Sequence, residues 1–255
     1  MVQRWSMILM ASALLAAGVP AGAAEMPGEA ESDVLVQKGA LDALAGMKSA
    51  IQGLKQFSLV ATTTMDDVLD QGQLIQISGT TTIEARLPDR LRVTVDNDKQ
   101  ERVYLYDGKT VTQYAPALDL YATFDAPGSI VEMVVAAQKQ YGVEFPLADL
   151  FFWADGKTPP VDVKIAYFAG ETPILGRLCR HYAYRVAHAD VQLWIPKDGD
   201  PLPCRMVITN IDEEARPQYS ATLAWNPDAI LGEGLFAFVP PPGVVQIPQK
   251  PVVAE

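Results

Sequence analysis

Cys179-Arg-His-Tyr-Ala-Tyr-Arg-Val186, Val191-Gln-Leu-Trp-Ile195 and Arg205-Met-Val-Ile-Thr-Asn-Ile211 are the segments whose reading decides the fold. The first alternates small or polar residues with aromatic and apolar ones, the period of a pleated strand with two unlike faces. The second puts Val191, Leu193 and Ile195 on one face. Between them Ala187-His-Ala-Asp190 reads as a short turn. Pro196-Lys-Asp-Gly-Asp-Pro201 is dense in turn formers, so the chain reverses again. Tyr219 to Trp225 continues the pattern. Strands joined this tightly are antiparallel, because a parallel pair needs a long crossover. The whole stretch from Gly176 to Trp225 therefore predicts a meander within one large antiparallel sheet.

Working back toward the N-terminus, the same period recurs. Phe57 to Thr64 reads as a strand. In Leu74–Ala85, Ile75, Ile77, Thr81, Ile83 and Ala85 share one face, and Gln76, Ser78, Thr82 and Glu84 the other, as in a sheet wetted on one side. Pro88-Asp89 makes a corner, after which Leu91, Val93 and Val95 alternate with Arg90, Arg92 and Thr94. Val103 to Val111 is a hairpin centred on Asp107-Gly108, and Leu118 to Phe124 is the next strand.

Two stretches break this pattern. Ala40, Leu44, Met47, Ile51 and Leu54 form one apolar stripe at helical spacing. Gly39 and Gly46 weaken that helix in isolation, so it needs the sheet to pack on. Ser129-Ile-Val-Glu132 is a capping box, followed by Ile130, Val134, Ala137 and Tyr141 at helical spacing. A second short helix is expected from Pro146 through Leu150, with Phe145, Phe151, Phe152 and Trp153 as an aromatic cluster at its end. Gly156-Lys-Thr-Pro-Pro160 closes the insert, and Val161, Val163, Ile165 and Tyr167 resume the strand period. The plan is helix, six strands, helical insert, then about five strands, hence α+β. A flat sheet of about eleven strands would twist badly, and full closure would leave no place for the helices. The expected architecture is a strongly curved antiparallel sheet, a half-open barrel, with helices covering its concave apolar face.

The chain has 255 residues, which suits one domain of the larger β-rich kind. Arg4, the apolar core Met7–Val19 and Ala21-Gly-Ala23 have the form of a cleaved secretory signal peptide. The expected division is a signal peptide over 1–23, a flexible segment over 24–32, a single domain over 33–247 and a flexible tail over 248–255. No cysteine follows the apolar core, so the sequence carries no lipobox, and no later stretch is long and apolar enough to span a membrane. The expected location is the periplasm. With Arg4 removed, 19 basic against 31 acidic residues leave −12, compared with −11 for the whole chain. Such a charge argues against nucleic acid or an anionic membrane surface as partner.

The chain resembles the periplasmic lipoprotein-carrier (LolA/LolB-like) superfamily and, more narrowly, a family of predicted periplasmic proteins placed beside it. The residues that carry the resemblance are Arg86-Leu-Pro-Asp-Arg-Leu-Arg-Val93, Tyr106-Asp-Gly-Lys-Thr-Val-Thr-Gln-Tyr114, Gln192-Leu-Trp-Ile195 with Pro201-Leu-Pro203 and Val207-Ile-Thr209, and Phe238-Val-Pro-Pro-Pro-Gly243. Together they cover most of residues 35–245. The resemblance implies a curved antiparallel sheet lidded by helices over an apolar cavity, which in lipoprotein carriers takes acyl chains. The nearest carriers have arginine directly followed by proline at the first corner. Here Leu87 intervenes between Arg86 and Pro88, and Arg86 is the candidate gating residue. The resemblance stops short of a substrate.

Catalytic constellations do not emerge. His181 and His188 are the only histidines; an odd separation of seven puts them on opposite faces of a strand, and no acidic or cysteine cluster joins them to make a zinc site. His188 near Asp190 is more simply a surface turn than a base with its orienter, because no serine or cysteine stands in a nucleophile elbow. Neither a phosphate loop nor a dinucleotide fingerprint occurs. No enzyme, metal or cofactor is expected. Cys179 and Cys204 are the only cysteines, and an oxidising compartment favours a disulfide over two buried thiols. Two strands separated by a third lie about 10 Å apart, too far for the bond. It forms only if the middle strand ends by Pro196 and the outer two converge beyond it.

The expected function is that of an exported, non-enzymatic protein binding or carrying a lipid, acyl chain or other hydrophobic ligand. The candidate cavity liners are Met133, Val134, Phe145, Leu150, Phe151, Phe152 and Trp153. Hydrophobic ligands, a lipidated protein or an envelope protein are the partners in view. The alternative is a protein-binding or regulatory sensor of the envelope that uses the same fold without a bound lipid.

Overall fold

The computed structural model describes residues 36–126, 128–157 and 162–252. The expected signal peptide, the segment 24–32, Val161 and the last residues of the insert and tail lie outside them. Helix α1 (Lys38–Gly53) leads into strands β1 (Gln56–Val68), β2 (Leu74–Arg86), β3 (Arg90–Asn97), β4 (Gln100–Tyr106), β5 (Thr110–Ala115) and β6 (Leu120–Asp125). Helices α2 (Ile130–Tyr141) and α3 (Ala148–Asp155) follow. The chain then returns to strands β7 (Ile165–Ile174), β8 (Arg177–Arg185), β9 (Ala189–Pro196), β10 (Arg205–Asn210) and β11 (Gln218–Asn226), and ends in a two-residue β12 (Val245–Gln246).

All twelve strands form one open sheet in the order β12-β6-β5-β4-β3-β2-β1-β11-β10-β9-β8-β7. Two meanders are thus joined where β1 pairs with β11, Met65 opposite Tyr219 and Leu59 opposite Trp225. Pairing is antiparallel throughout except for β12, which lies parallel to β6. That strand is too short to leave an alternating pattern, so sequence periodicity could not announce it.

Alternation along each strand separates the two faces. On β1, Phe57, Leu59 and Ala61 are buried, while Ser58, Val60 and Thr62 turn outward. The helices all lie on the buried face. The Phe57 ring meets Phe151 of α3 at 6.4 Å, Phe124 of β6 meets Tyr141 of α2 at 4.4 Å, and the Tyr184 hydroxyl of β8 donates to Ala40 O of α1 at 2.9 Å. Helix α1 has no side-chain cap, and its two interior glycines cost about 1 kcal/mol each. Fully burying Met47 and Ile51 offsets this by roughly 1.5–3 kcal/mol each, so α1 is held by its packing on the sheet.

The capping box forms as the sequence predicts. The Ser129 hydroxyl accepts from Glu132 N at 3.3 Å, and Glu132 Oε2 accepts from Ser129 N at 2.7 Å. That backbone bond holds the Glu132 carboxyl below its ordinary range. The third helix differs from expectation. Leu147 takes a left-handed conformation (φ 58°), so helical geometry begins only at Ala148 and continues to Asp155, where Gly156 ends it at φ 68°. Phe151, Phe152 and Trp153 are therefore within the helix rather than beyond it. The strand expected from Val161 begins at Ile165.

A segment flanking the strands lies along each edge of the sheet. On the β7 edge, Val36 makes a parallel bridge to Ala166, and the Gln37 side-chain oxygen accepts from Phe168 N at 2.9 Å. On the β6 edge, Val245 N donates to Asp119 O at 2.9 Å and Ile247 N to Tyr121 O at 2.8 Å. The Phe238 ring sits against Tyr114 and Tyr121 at 5.3 and 5.0 Å.

Cys179 and Cys204 form a disulfide, with Cα atoms 6.8 Å apart. Cys179 faces Pro196, the last residue of β9, and Cys204 immediately precedes β10. The outer strands converge where the middle one stops, which removes the distance objection. With Trp194 and Val207 the bridge makes a small second core. Strand alternation puts it on the face away from the helices. There His181, Trp194 and Arg205 are cross-strand partners, with the histidine ring stacked on the indole at 4.0 Å.

Candidate functional site

Two rungs of side chains cross the helix-covered face, and they differ in what lies above them. The first is Phe57-Ala85-Leu91-Tyr106-Val111-Phe124, one residue from each of β1 to β6 in direct register. All six are buried, the most accessible at 6%. Helices α2 and α3 fill the space over this rung with Ile130, Met133, Leu150 and Phe151. The Tyr106 hydroxyl donates to Gly128 O at 2.7 Å, and burial pushes its pKa up to about 12.

The second rung is Ala166-Tyr184-Val191-Ile208-Tyr219-Met65-Ile77, in register across β7 to β11, β1 and β2. Val191, Ile208, Tyr219 and Met65 in its centre are only partly buried, although they point to the same face as the core. What they face is a hollow of about 560 Å³ that communicates with solvent. Its roof comprises Leu41, Leu44, Ala45 and Lys48 of α1, Val134 and Gln138 of α2, the connection Val143–Leu147, and Ala148, Asp149 and Trp153 of α3. Tyr104 of β4, packed on Phe145 at 5.0 Å, closes one end. The walls are mainly apolar.

A carboxylate stands inside this apolar wall. Asp149, in the first turn of α3, is partly buried and lines the hollow. Burial pushes its pKa up to about 6, and its own backbone N–H is the group that draws the value back. The Tyr219 hydroxyl on the floor is raised above its ordinary value, first by burial and then by the charge of Asp149. Sequence reasoning passed over both residues. Asp149 was nonetheless visible as the lone acidic residue in Phe145-Pro-Leu-Ala-Asp-Leu-Phe-Phe-Trp153.

Of the seven candidate liners, Val134, Phe145 and Trp153 face the hollow. Met133, Leu150 and Phe151 are buried in the core beside it, and Phe152 is half-buried against that core. Arg86 is at the far end of β2 from Ile77. It pairs with Glu233 at 2.5 Å and lies over the Phe236 ring at 5.5 Å, away from the hollow. His181 and His188 are not brought together. His188 meets Asp212 at 2.8 Å, whereas Asp190, its expected neighbour, is taken by Arg185 and Arg216. Among the described residues, no group of three or more His, Cys, Asp or Glu is placed to hold a metal ion. Nor is any helix among them long and apolar enough to cross a membrane.

Comparison with known proteins gives the following. A family model described as a predicted periplasmic protein (DUF2092) matches residues 40–249. No curated protein matches. Among solved structures, the lipoprotein LppX of Mycobacterium tuberculosis is 15% identical, with 77% of this chain and 99% of that one covered, at a TM-score of 0.50. A LolA superfamily protein from Nitrosomonas europaea is 9% identical over 78% of this chain and 97% of that one (TM-score 0.37). The MucA/MucB complex of Pseudomonas aeruginosa gives 14% identity over 79% and 61% (TM-score 0.39). The likeness to LppX shows a shared fold.

Proposed function

We propose, for a chain that belongs to the family of predicted periplasmic proteins DUF2092, that it is an exported binding protein or carrier taking a lipid, acyl chain or other apolar ligand into the hollow. The observation that carries this reading is the second rung. Seven strands contribute to it, and its central side chains are aimed at the core face yet only partly covered. Exposed apolar surface in a concave, largely preformed space is what a hydrophobic ligand needs. About 560 Å³ is within the roughly 300–1,000 Å³ usual for ligand sites. Each buried CH₂ contributes about 0.8 kcal/mol, so a ten-carbon chain supplies roughly 8 kcal/mol before the costs of ordering. Binding of this kind requires no catalytic group.

Native mass spectrometry of the protein purified from its own envelope tests the reading. The expected result is an added mass that organic extraction removes and that Ile208→Trp, which fills the hollow, does not acquire. A clean apo mass, together with no uptake of a fluorescent apolar probe, would overturn it and favour a ligand-free envelope sensor.

A further inference from the structure

The hollow has a chemically distinct spot. Its lining contains three charged side chains: Lys48 on α1, Glu144 in the α2–α3 connection and Asp149 on α3. Two negative charges against one positive leave the wall net negative. Among the described residues no cation offsets the burial of Asp149; only its own backbone N–H does, and a carboxylate so placed has lost water without gaining a counter-charge. Asp149 and Tyr219 of β11 both line the hollow, and the charge of Asp149 is felt at the Tyr219 hydroxyl. Tyr104 and Tyr184, the other titratable residues of the lining, lie on β4 and β8.

We propose that Asp149 receives the head of the ligand, and that this head is a protonated amine on an aliphatic chain, not a carboxylate or phosphate. This rests on the reading of the hollow as an apolar-ligand site and adds its polarity. The chain lies along Val191, Ile208, Met65 and Ile77. The ammonium supplies the positive charge that burial has left the Asp149 carboxylate without. An anionic head in the same position meets like charge in a poorly hydrated space and is rejected.

The test compares dodecylamine, dodecanol and dodecanoate below their micelle concentrations, each displacing a fluorescent apolar probe from the full-length mature protein. At about pH 7.5, dodecylamine is expected to bind at least about tenfold tighter than dodecanoate and to exceed dodecanol. In Asp149→Asn the amine falls to within about threefold of dodecanol. In the wild type the amine's advantage over dodecanol shrinks as pH drops through about 6, where Asp149 gains its proton; Tyr104, Tyr184 and Tyr219, all raised above their ordinary values, keep their protons over that range. High salt leaves the advantage in place, which separates Asp149 from the general attraction of an acidic protein for cations. Equal binding of amine and dodecanoate, or a preference that survives in Asp149→Asn, overturns the assignment while leaving the hollow as a binding site. Failure of all three ligands overturns the binding reading and the assignment with it. The wild-type pH series decides the matter even if the variant does not fold.

Discussion

The two rungs are built from the same kind of strand and point the same way, yet one is sealed and the other is not. Over Phe57-Ala85-Leu91-Tyr106-Val111-Phe124 the helices set down Ile130, Met133, Leu150 and Phe151 and exclude solvent. Over Val191, Ile208, Tyr219 and Met65 they form only a roof. The first rung therefore contributes to stability, and the second keeps apolar surface in reserve. The difference comes from what stands above the strands, since the apolar alternation below is similar in both.

The comparison breaks first under truncation. Leu91→Ala or Phe57→Ala in the sealed rung is expected to cost about 3–5 kcal/mol, because each leaves a void that packed neighbours cannot close. Ile208→Ala, already facing the hollow, is expected to cost about 1 kcal/mol. Urea unfolding of the three variants measures the gap, and equal losses would show that the second rung is packed like the first. Removing the disulfide by Cys179→Ser with Cys204→Ser is expected to cost about 3 kcal/mol for a loop spanning 25 residues. Probe uptake should be unchanged, because the bridge is displaced along the strands from the open rung, Cys179 from Tyr184 on β8 and Cys204 from Ile208 on β10.

Enlarging side chains sharpens the contrast in the opposite direction. Val111→Phe in the sealed rung should destabilise by roughly 1–3 kcal/mol. Val191→Phe should leave stability within about 1 kcal/mol and abolish probe binding. Asp149 gives a pH signature. Its folded-state pKa of about 6 exceeds the ordinary value of 3.8, so the folded state holds a proton that the unfolded state has released between those values. The penalty is fully present above about pH 6 and is relieved as pH falls toward 4. Asp149→Asn should accordingly raise stability by roughly 1–3 kcal/mol at neutral pH. The gain should fade by about pH 4 in parallel urea titrations. Ser129→Ala is expected to cost about 1 kcal/mol through loss of the α2 cap, with no change in probe affinity.

The order of elements was legible because strand and helix periods leave different marks. The two strand runs interrupted by the Ser129–Glu132 capping box became two meanders separated by a helical insert. The candidate liners came only from that insert, and the floor of the hollow was missed. Val191, Ile208, Tyr219 and Met65 read individually as core positions, and nothing in a sequence tells whether a core-facing side chain has a neighbour above it. That depends on registers spanning more than 150 residues, from Met65 to Tyr219. Helix α3 was misplaced because the left-handed Leu147 carries no sequence mark comparable to a glycine. For the disulfide, the sequence posed the right geometric condition, and the end of β9 at Pro196 met it.

An open sheet has two free margins, each an invitation to pair with another molecule. Here the segments on either side of the domain occupy them: Val36 and Gln37 along β7, and Val245 to Ile247 along β6. Each chain thus shields part of its own edges, which narrows the room for strand-to-strand pairing with a copy. The sheet stays unclosed beneath its helices while part of each margin is taken by its own chain.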